Sequence, residues 1–277
     1  MARVTASIAP LFMENAELEQ IVATVVERLQ AGPGCVRAAA AGVASSLAAA
    51  RSPEQTTSDA SLAALIDHTI LRPDATAAEI RQVCAEARQY GFASVCVNPA
   101  RVALAAAELR GSGVNVCSVA GFPLGATPTS AKLHEAESAL REGAREIDMV
   151  IHIGALKERD YQAVKSDMQS VAQLCHAGGA RLKAIIETCL LDDAEKVAAC
   201  ALAKMAGADF VKTSTGFAKA GATAADVALM RRAVGPEMGV KAAGGIRTLA
   251  DLRAMVAAGA TRIGASASVK IMETAAR

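Results

Sequence analysis

RLKAIIET (181–188), ADFVKTSTG (208–216) and GVKAAGG (239–245) are three short, apolar, strand-like stretches, and each holds one lysine. Lys183, Lys212 and Lys241 recur 29 residues apart. Flanks of Val, Ile, Ala and Phe predict burial, and a buried, unpaired ammonium is so unfavourable that it gives up its charge or recruits partners. Such lysines point to chemistry. The even interval predicts successive strand-plus-helix units that offer their lysines at equivalent heights, as a parallel barrel does when it builds a site.

Working outward, the same rhythm fills most of the chain. Strand-like segments recur at LAALIDHT (62–69), ASVCVN (93–98), VNVCSVAG (114–121), EIDMVIH (146–152), the three lysine segments and RIGAS (262–266). Between them lie helical patterns, among them TAAEIRQVCAEARQYG (76–91), PARVALAAAELRGSG (99–113), TSAKLHEAESALREG (129–143) and DDAEKVAACALAKMAG (192–207). Each opens near Thr, Ser, Asp or Pro and closes on Gly, the cap chemistry of a helix. Eight alternating units predict an α/β fold, a (β/α)8 TIM barrel, with a doubly wound open sheet as the fallback.

Residues 1–58 break the rhythm and are read as an N-terminal extension to a barrel domain at 59–277. NAELEQIVATVVERLQ (15–30) places Ile21, Val22, Val25, Val26 and Leu29 on one helical face and stops at Gly32-Pro33-Gly34. An Ala-rich stretch (36–50) and the polar RSPEQTTSDA (51–60), read as a linker, follow. The helix either packs on the barrel or a subunit interface, or docks elsewhere. In the second case it resembles the amphipathic peptides that direct enzymes into bacterial microcompartments, a pattern many unrelated helices share.

Composition narrows the function classes. With 277 residues, 52% of them hydrophobic, and a net charge of +1, the chain can bury one large core and has no bias toward polyanions. Aromatics make up 3% and Trp is absent, so base-stacking platforms are missing and nucleic acid is excluded as a partner. Seven cysteines, odd in number and without CxxC spacing, read as reduced thiols of a cytoplasmic protein. Early glutamates (14, 17, 19) spoil a secretory signal, and no apolar run is long enough to span a membrane.

The lysines carry the chemistry. Desolvation in an apolar strand favours the neutral amine of Lys212, and a second cation on the next strand, Lys241, adds to that preference. A neutral amine attacks a carbonyl, and the iminium so formed is an electron sink through which a C–C bond breaks or forms. Asp148, charged in the middle of EIDMVIH, is placed to relay protons or hold a water. A core ion pair explains any one of these residues; four charges on neighbouring strands favour a site. Thr213–Gly216, Gly244-Gly245 and the segment Gly264, Ser266, Ser268 follow late strands, where such barrels cradle phosphate.

LIDHTIL (65–71), EIDMVI (146–151), LKAIIET (182–188), VKTSTGF (211–217), VKAAGGIR (240–247) and RIGAS (262–266) together resemble the deoxyribose-phosphate aldolase family over residues 60 to about 268. The resemblance implies reversible cleavage of 2-deoxy-D-ribose 5-phosphate to D-glyceraldehyde 3-phosphate and acetaldehyde, with no metal and no cofactor. It implies that Lys212 forms the Schiff base, that Lys241 tunes it and shuttles protons, and that Asp148 assists. It further implies a substrate pocket lined by Asp67, Thr69, Cys96 and Lys183, and a phosphate held by Thr215, Gly216, Gly244, Gly245, Arg247, Gly264 and Ser266. Homo-oligomers are common among barrels of this kind.

Two departures from the family pattern stand out. Ala267 follows Ser266 where some members have a second serine, so the next hydroxyl is Ser268 and phosphate affinity is expected to be softer. Some members end in a tail carrying a tyrosine that helps proton transfer; here the tyrosines are Tyr90 and Tyr161, and slower turnover is expected. His68, His134, His152 and His176 lack metal-ligand spacing, which argues against a metal-dependent aldolase. Cys96 reads as pocket lining, and Asp192-Asp193 as a helix start. A Schiff-base aldolase for another sugar phosphate, and a catalytically silent phosphosugar-binding barrel, remain the alternatives.

Overall fold

The computed structural model describes residues 13–30 and 62–275. Eight parallel strands close in sequence order into a barrel: β1 (Ile66–Ile70), β2 (Ser94–Val97), β3 (Asn115–Ala120), β4 (Glu146–Val150), β5 (Arg181–Ile185), β6 (Phe210–Lys212), β7 (Gly239–Ala243) and β8 (Arg262–Ala265). All eight expected strands are present. Helices alternate with them: α2 (Ala77–Tyr90), α3 (Val102–Glu108), α4 (Thr129–Arg141), α5 (Ile153–Lys157), α6 (Tyr161–Ala177), α7 (Asp193–Met205), α8 (Ala224–Val234), α9 (Leu249–Ala257) and α10 (Ser268–Ala275), with α1 (Asn15–Gln30) ahead of the barrel.

Local chemistry sets the helix boundaries. Thr76 with Glu79, Asp192 with Glu195 and Thr248 with Asp251 form capping boxes that satisfy the first free backbone N–H groups of α2, α7 and α9. The Asp192-Asp193 pair is thus a helix start. The helical pattern read over 99–113 is shorter in the structure. A 3₁₀ turn (Pro99–Arg101) precedes α3, and Gly111 and Gly113, with φ of 74° and 77°, hold the chain out of helix.

The strands alternate strictly between two environments. Ile66, Val95, Ile147, Met149, Leu182, Ala184, Val211, Val240 and Ile263 point outward into one continuous apolar layer with Ile80, Cys84, Val164, Met168, Val197, Val227 and Leu252 of the helices. The residues between them point into the barrel and include most of its charges.

Helix α1 is part of the outer layer. Leu18, Val22, Val25 and Leu29 are buried against α7 and α6, with Ile21 and Val26 only partly covered. The apolar face is therefore rotated toward Leu18 relative to the face read from sequence. The side chain of Arg232 on α8 donates to Met13 O at 2.6 Å and Asn15 Oδ1 at 2.8 Å, tying the helix start to the barrel. The stop at 32–34, the Ala-rich stretch and the polar segment 51–60 lie outside the described residues. No helix among those described is long and apolar enough to cross a membrane.

Candidate active site

The inward faces of β1, β4, β5, β6, β7 and β8 build one buried charge cluster. Asp148 lies at its centre. Its Oδ2 accepts from Lys212 Nζ at 2.8 Å and Lys241 Nζ at 2.7 Å, and its Oδ1 accepts from Lys183 Nζ at 2.7 Å and the thiol of Cys117 at 3.1 Å. Asp67 Oδ2 lies 2.5 Å from Lys241 Nζ, and Asp67 Oδ1 accepts from Ser94 Oγ and from Arg262 Nη1. Glu146 Oε2 joins Lys183 and Arg262, at 2.7 and 2.8 Å. All of these groups are nearly or wholly shielded from solvent.

The lysines are not at equivalent heights. Lys212 pairs in register with Lys241, but its neighbour on β5 is Ile185, so Lys183 sits two residues deeper. Strand stagger, which closes a barrel, sets the height of a side chain independently of the sequence interval. The deeper lysine is held by Asp148, Glu146 and, at 3.4 Å, Asp67.

Burial alone would raise the acids and lower the lysines. Against it, the ammonium groups of Lys183, Lys212 and Lys241 draw Asp148 well below the usual carboxylate range, and Lys183, Lys241 and Arg262 do the same to Asp67. Conversely, Asp148 and Asp67 outweigh desolvation and hold Lys183 and Lys241 above the ordinary lysine value. Lys183 and Lys241 thus rest as ammonium groups. Lys212 has one carboxylate partner among the described residues, Asp148.

Two glycines make room for this packing. A Cβ on Gly264 would lie 3.1 Å from Lys241 Cε, and one on Gly239 would strike the ring of Phe210, over which the Arg262 guanidinium lies at 5.2 Å.

Above the cluster, at the C-terminal ends of the strands, opens a pocket of about 530 Å³. Of the three lysines, Lys212 alone borders it. Thr69, Thr215, Gly216, Gly244, Gly245, Arg247, Gly264 and Ser266 border it as well. Asp67, Cys96 and Lys183, expected in its lining, are wholly buried and do not border it; Asp67 lies two residues deeper than Thr69 and Lys183 two residues deeper than the level of Lys212, while Cys96 is in register with Thr69. Asp148 and Lys241 are likewise buried, do not border the pocket and reach it through Lys212.

Backbone close approach shapes the side of the pocket formed by the loops after β6 and β7. The loops after β6 and β7 meet where a Cβ on Gly221 would lie 2.2 Å from Gly244 O, and Gly216, Gly244 and Gly245 all adopt positive φ. Arg247 is exposed at the rim. Thr215 has its backbone N–H and hydroxyl turned to the buried carboxylate of Glu187, a residue at φ 43° that the sequence reading missed. Ser268 is buried and donates to Ala265 O, so it does not take the place of a serine at 267. Tyr90 closes α2 and Tyr161 opens α6.

Cys96, Cys117 and Asp148 bring potential ligand atoms within 4.8 Å of one another, as do Asp67, Cys117 and Glu146. These donors are poor candidates for a metal, since lysine ammonium groups already occupy the carboxylates. Glu146 and Arg262 were also missed from sequence. Both open a strand, and the available signal was the two-residue step from Glu146 to Asp148, which places both side chains on one face.

Known proteins share this arrangement of chain. The deoxyribose-phosphate aldolase of Thermococcus gammatolerans is 59% identical over 216 residues, covering 77% of this chain and 96% of its own. That of Lysinibacillus sphaericus is 58% identical over 210 residues, covering 76% and 94%. Among solved structures, the tetrameric deoxyribose phosphate aldolase of Aeropyrum pernix superposes with a TM-score of 0.74 at 38% identity, covering 78% of this chain and 92% of that one. A crystal structure from Coccidioides immitis, 41% identical with a TM-score of 0.79, covers 96% of this chain and 99% of its own, reaching beyond the barrel into the N-terminal segment. Residues 61–271 match the profile of the DeoC/LacD family aldolases, and the chain belongs to that family.

Proposed function

We propose that this protein reversibly cleaves 2-deoxy-D-ribose 5-phosphate to D-glyceraldehyde 3-phosphate and acetaldehyde through a Schiff base on Lys212. The observation that carries the proposal is that Lys212 is the one lysine of the buried cluster that borders the pocket, its amine on a carboxylate shared with a second cation. The neutral amine adds to the substrate aldehyde at C1, and the carbinolamine takes up a proton and loses water to give the iminium. Loss of the C3 hydroxyl proton breaks the C2–C3 bond, releases the three-carbon aldehyde and leaves an enamine. Protonation at C2 followed by hydrolysis frees acetaldehyde and the lysine. Asp148 and Lys241, hydrogen-bonded to each other beside Lys212, are the groups suited to moving these protons. Gly216, Gly244, Gly245, Arg247, Gly264 and Ser266 border the pocket and suit the phosphate, while Thr215, whose N–H and hydroxyl are engaged by Glu187, shapes the same rim. Asp67, Cys96 and Lys183 act from behind the lining, and Thr69 from its edge.

Incubation of the full chain with acetaldehyde and borohydride, followed by mapping of the modified residue by mass spectrometry, tests the assignment. A reduced two-carbon adduct on Lys212 is expected. An adduct elsewhere, or none, overturns it. A homo-oligomer follows from the same reading and is checked by light scattering. For helix 15–30, burial of its apolar face on α6 and α7 supports a packing role over an address for a microcompartment.

A further inference from the structure

The floor of the pocket conceals a deeper layer for which the chemistry at Lys212 has no direct use. Glu146 and Arg262, from β4 and β8, meet at the bottom of the cluster, 2.8 Å apart. Neither borders the pocket. Glu146 also lies 2.7 Å from Lys183, which lies 2.7 Å from Asp148, the partner of Lys212. Around the barrel, the groups facing this cluster are Asp67 on β1, Cys96 on β2, Cys117 on β3, Glu146 and Asp148 on β4, Lys183, Lys212 and Lys241 on β5 to β7, and Arg262 on β8.

Formal charges there do not balance. Lys183, Lys212, Lys241 and Arg262 bring four positive charges against three negative ones from Asp67, Glu146 and Asp148. In a buried site an excess charge is unfavourable, and it weighs most on the amine with the fewest carboxylate partners among the described residues. That amine is Lys212, with one carboxylate against two for Lys241 and three for Lys183. We propose that Glu146 and Arg262 are positioning residues that set the net charge of the cluster, and thereby the pH dependence of the reaction at Lys212, without touching substrate. This inference rests on the Schiff-base reading above.

Glu146→Gln is close to a pure change of charge. Glu146 Oε2 accepts from both neighbours while Oε1 has no partner, so the glutamine carbonyl can keep both contacts. Removing a negative charge widens the excess and favours the neutral amine, which moves the acid limb of the rate profile to lower pH. Arg262→Met cancels the excess and moves that limb to higher pH. One buried unit charge at this remove shifts a titration by about one pH unit. The double variant is expected to return to the wild-type limb, and Arg262→Lys to restore what Arg262→Met displaces.

The experiment measures borohydride trapping of acetaldehyde on Lys212 across pH for the wild type and these variants. Opposite shifts in the two single variants, cancelling in the double, are expected. A merely structural role would lower the amount trapped without moving the limb. Should Arg262→Met fail to fold, Glu146→Gln decides alone, and an unshifted limb overturns the proposal. Absence of any Lys212 adduct in the wild type would instead overturn the Schiff-base reading, so the two failures are distinguishable.

Discussion

The outward and inward faces of the barrel are built from the same eight strands, yet one is apolar and the other is crowded with charge. On β4, Ile147 and Met149 face the helices while Glu146 and Asp148 face the axis; on β5, Leu182 and Ala184 alternate with Lys183 and Ile185. Stability resides on the first face and charge compensation on the second. Outer residues lose water and gain dispersion contacts at no electrostatic cost. Inner ones are held by compensation, each charge made tolerable by its neighbours. The contrast predicts that inner substitutions will change activity and pH dependence, and outer ones stability alone.

Lys212→Ala should break the comparison most sharply. It removes the only proposed electrophile-forming amine, so kcat/KM should fall at least about 10⁴-fold. It also removes the excess positive charge, so the melting temperature should hold or rise. A variant that loses activity because it unfolds would show that Lys212 is structural.

Asp148→Asn should cost about 3–5 kcal/mol near neutral pH, because three ammonium groups then surround an uncharged amide. The sign with pH follows from the directions above. Asp148 is depressed in the folded state, so its contribution is present above the unfolded value near pH 4 and is lost as pH falls through the folded one. Lys183 and Lys241 are raised, so theirs is complete below about pH 10 and fades only as pH climbs through their higher folded values. Urea titrations of both proteins should therefore converge toward acid. Curves that stay parallel down to pH 3 would mean that the fold does not lower the pKa of Asp148.

Ile147→Ala sharpens the other side. It lies beside Asp148 in the chain but in the outer layer, fully buried. A loss of about 3 kcal/mol, independent of pH, is expected, with Lys212 trapping unchanged. A shifted pH profile would show that the two faces are coupled through the strand.

Much of this division was legible in the sequence. Alternation of apolar and charged residues gave the strands, cap residues gave the helix starts, and Lys212, Lys241 and Asp148 stood out as charges amid Val, Ile and Met. What stayed hidden depends on stagger and depth. The 29-residue interval implied equal heights, but register sets Lys183 beside Phe210 and not beside Lys212. Arg262 and Glu146 open their strands, where the two-residue step from Glu146 to Asp148 is the one local sign of an inward face. Lys132, within the helical pattern at 129–143, is buried and donates to Asp167 Oδ2 at 2.6 Å and Val150 O at 2.9 Å, a long-range pairing that no local pattern carries.

The smallest effect tests how far the outer layer extends. Helix α1 adds a further apolar row to α6 and α7 through Leu18, Val22, Val25 and Leu29, and Val25 is wholly buried. Val25→Ala deletes two methyl groups and should cost about 1–2 kcal/mol. For a chain of this size that lowers the melting temperature by roughly 2–8 °C, with no change in kcat or KM. If α1 were held only by its chain connection, with its apolar face free for another protein, the same substitution would leave the melting temperature where it is. A drop confined to stability would place the helix in the barrel's outer shell with Ile147, apart from the inward-facing charges.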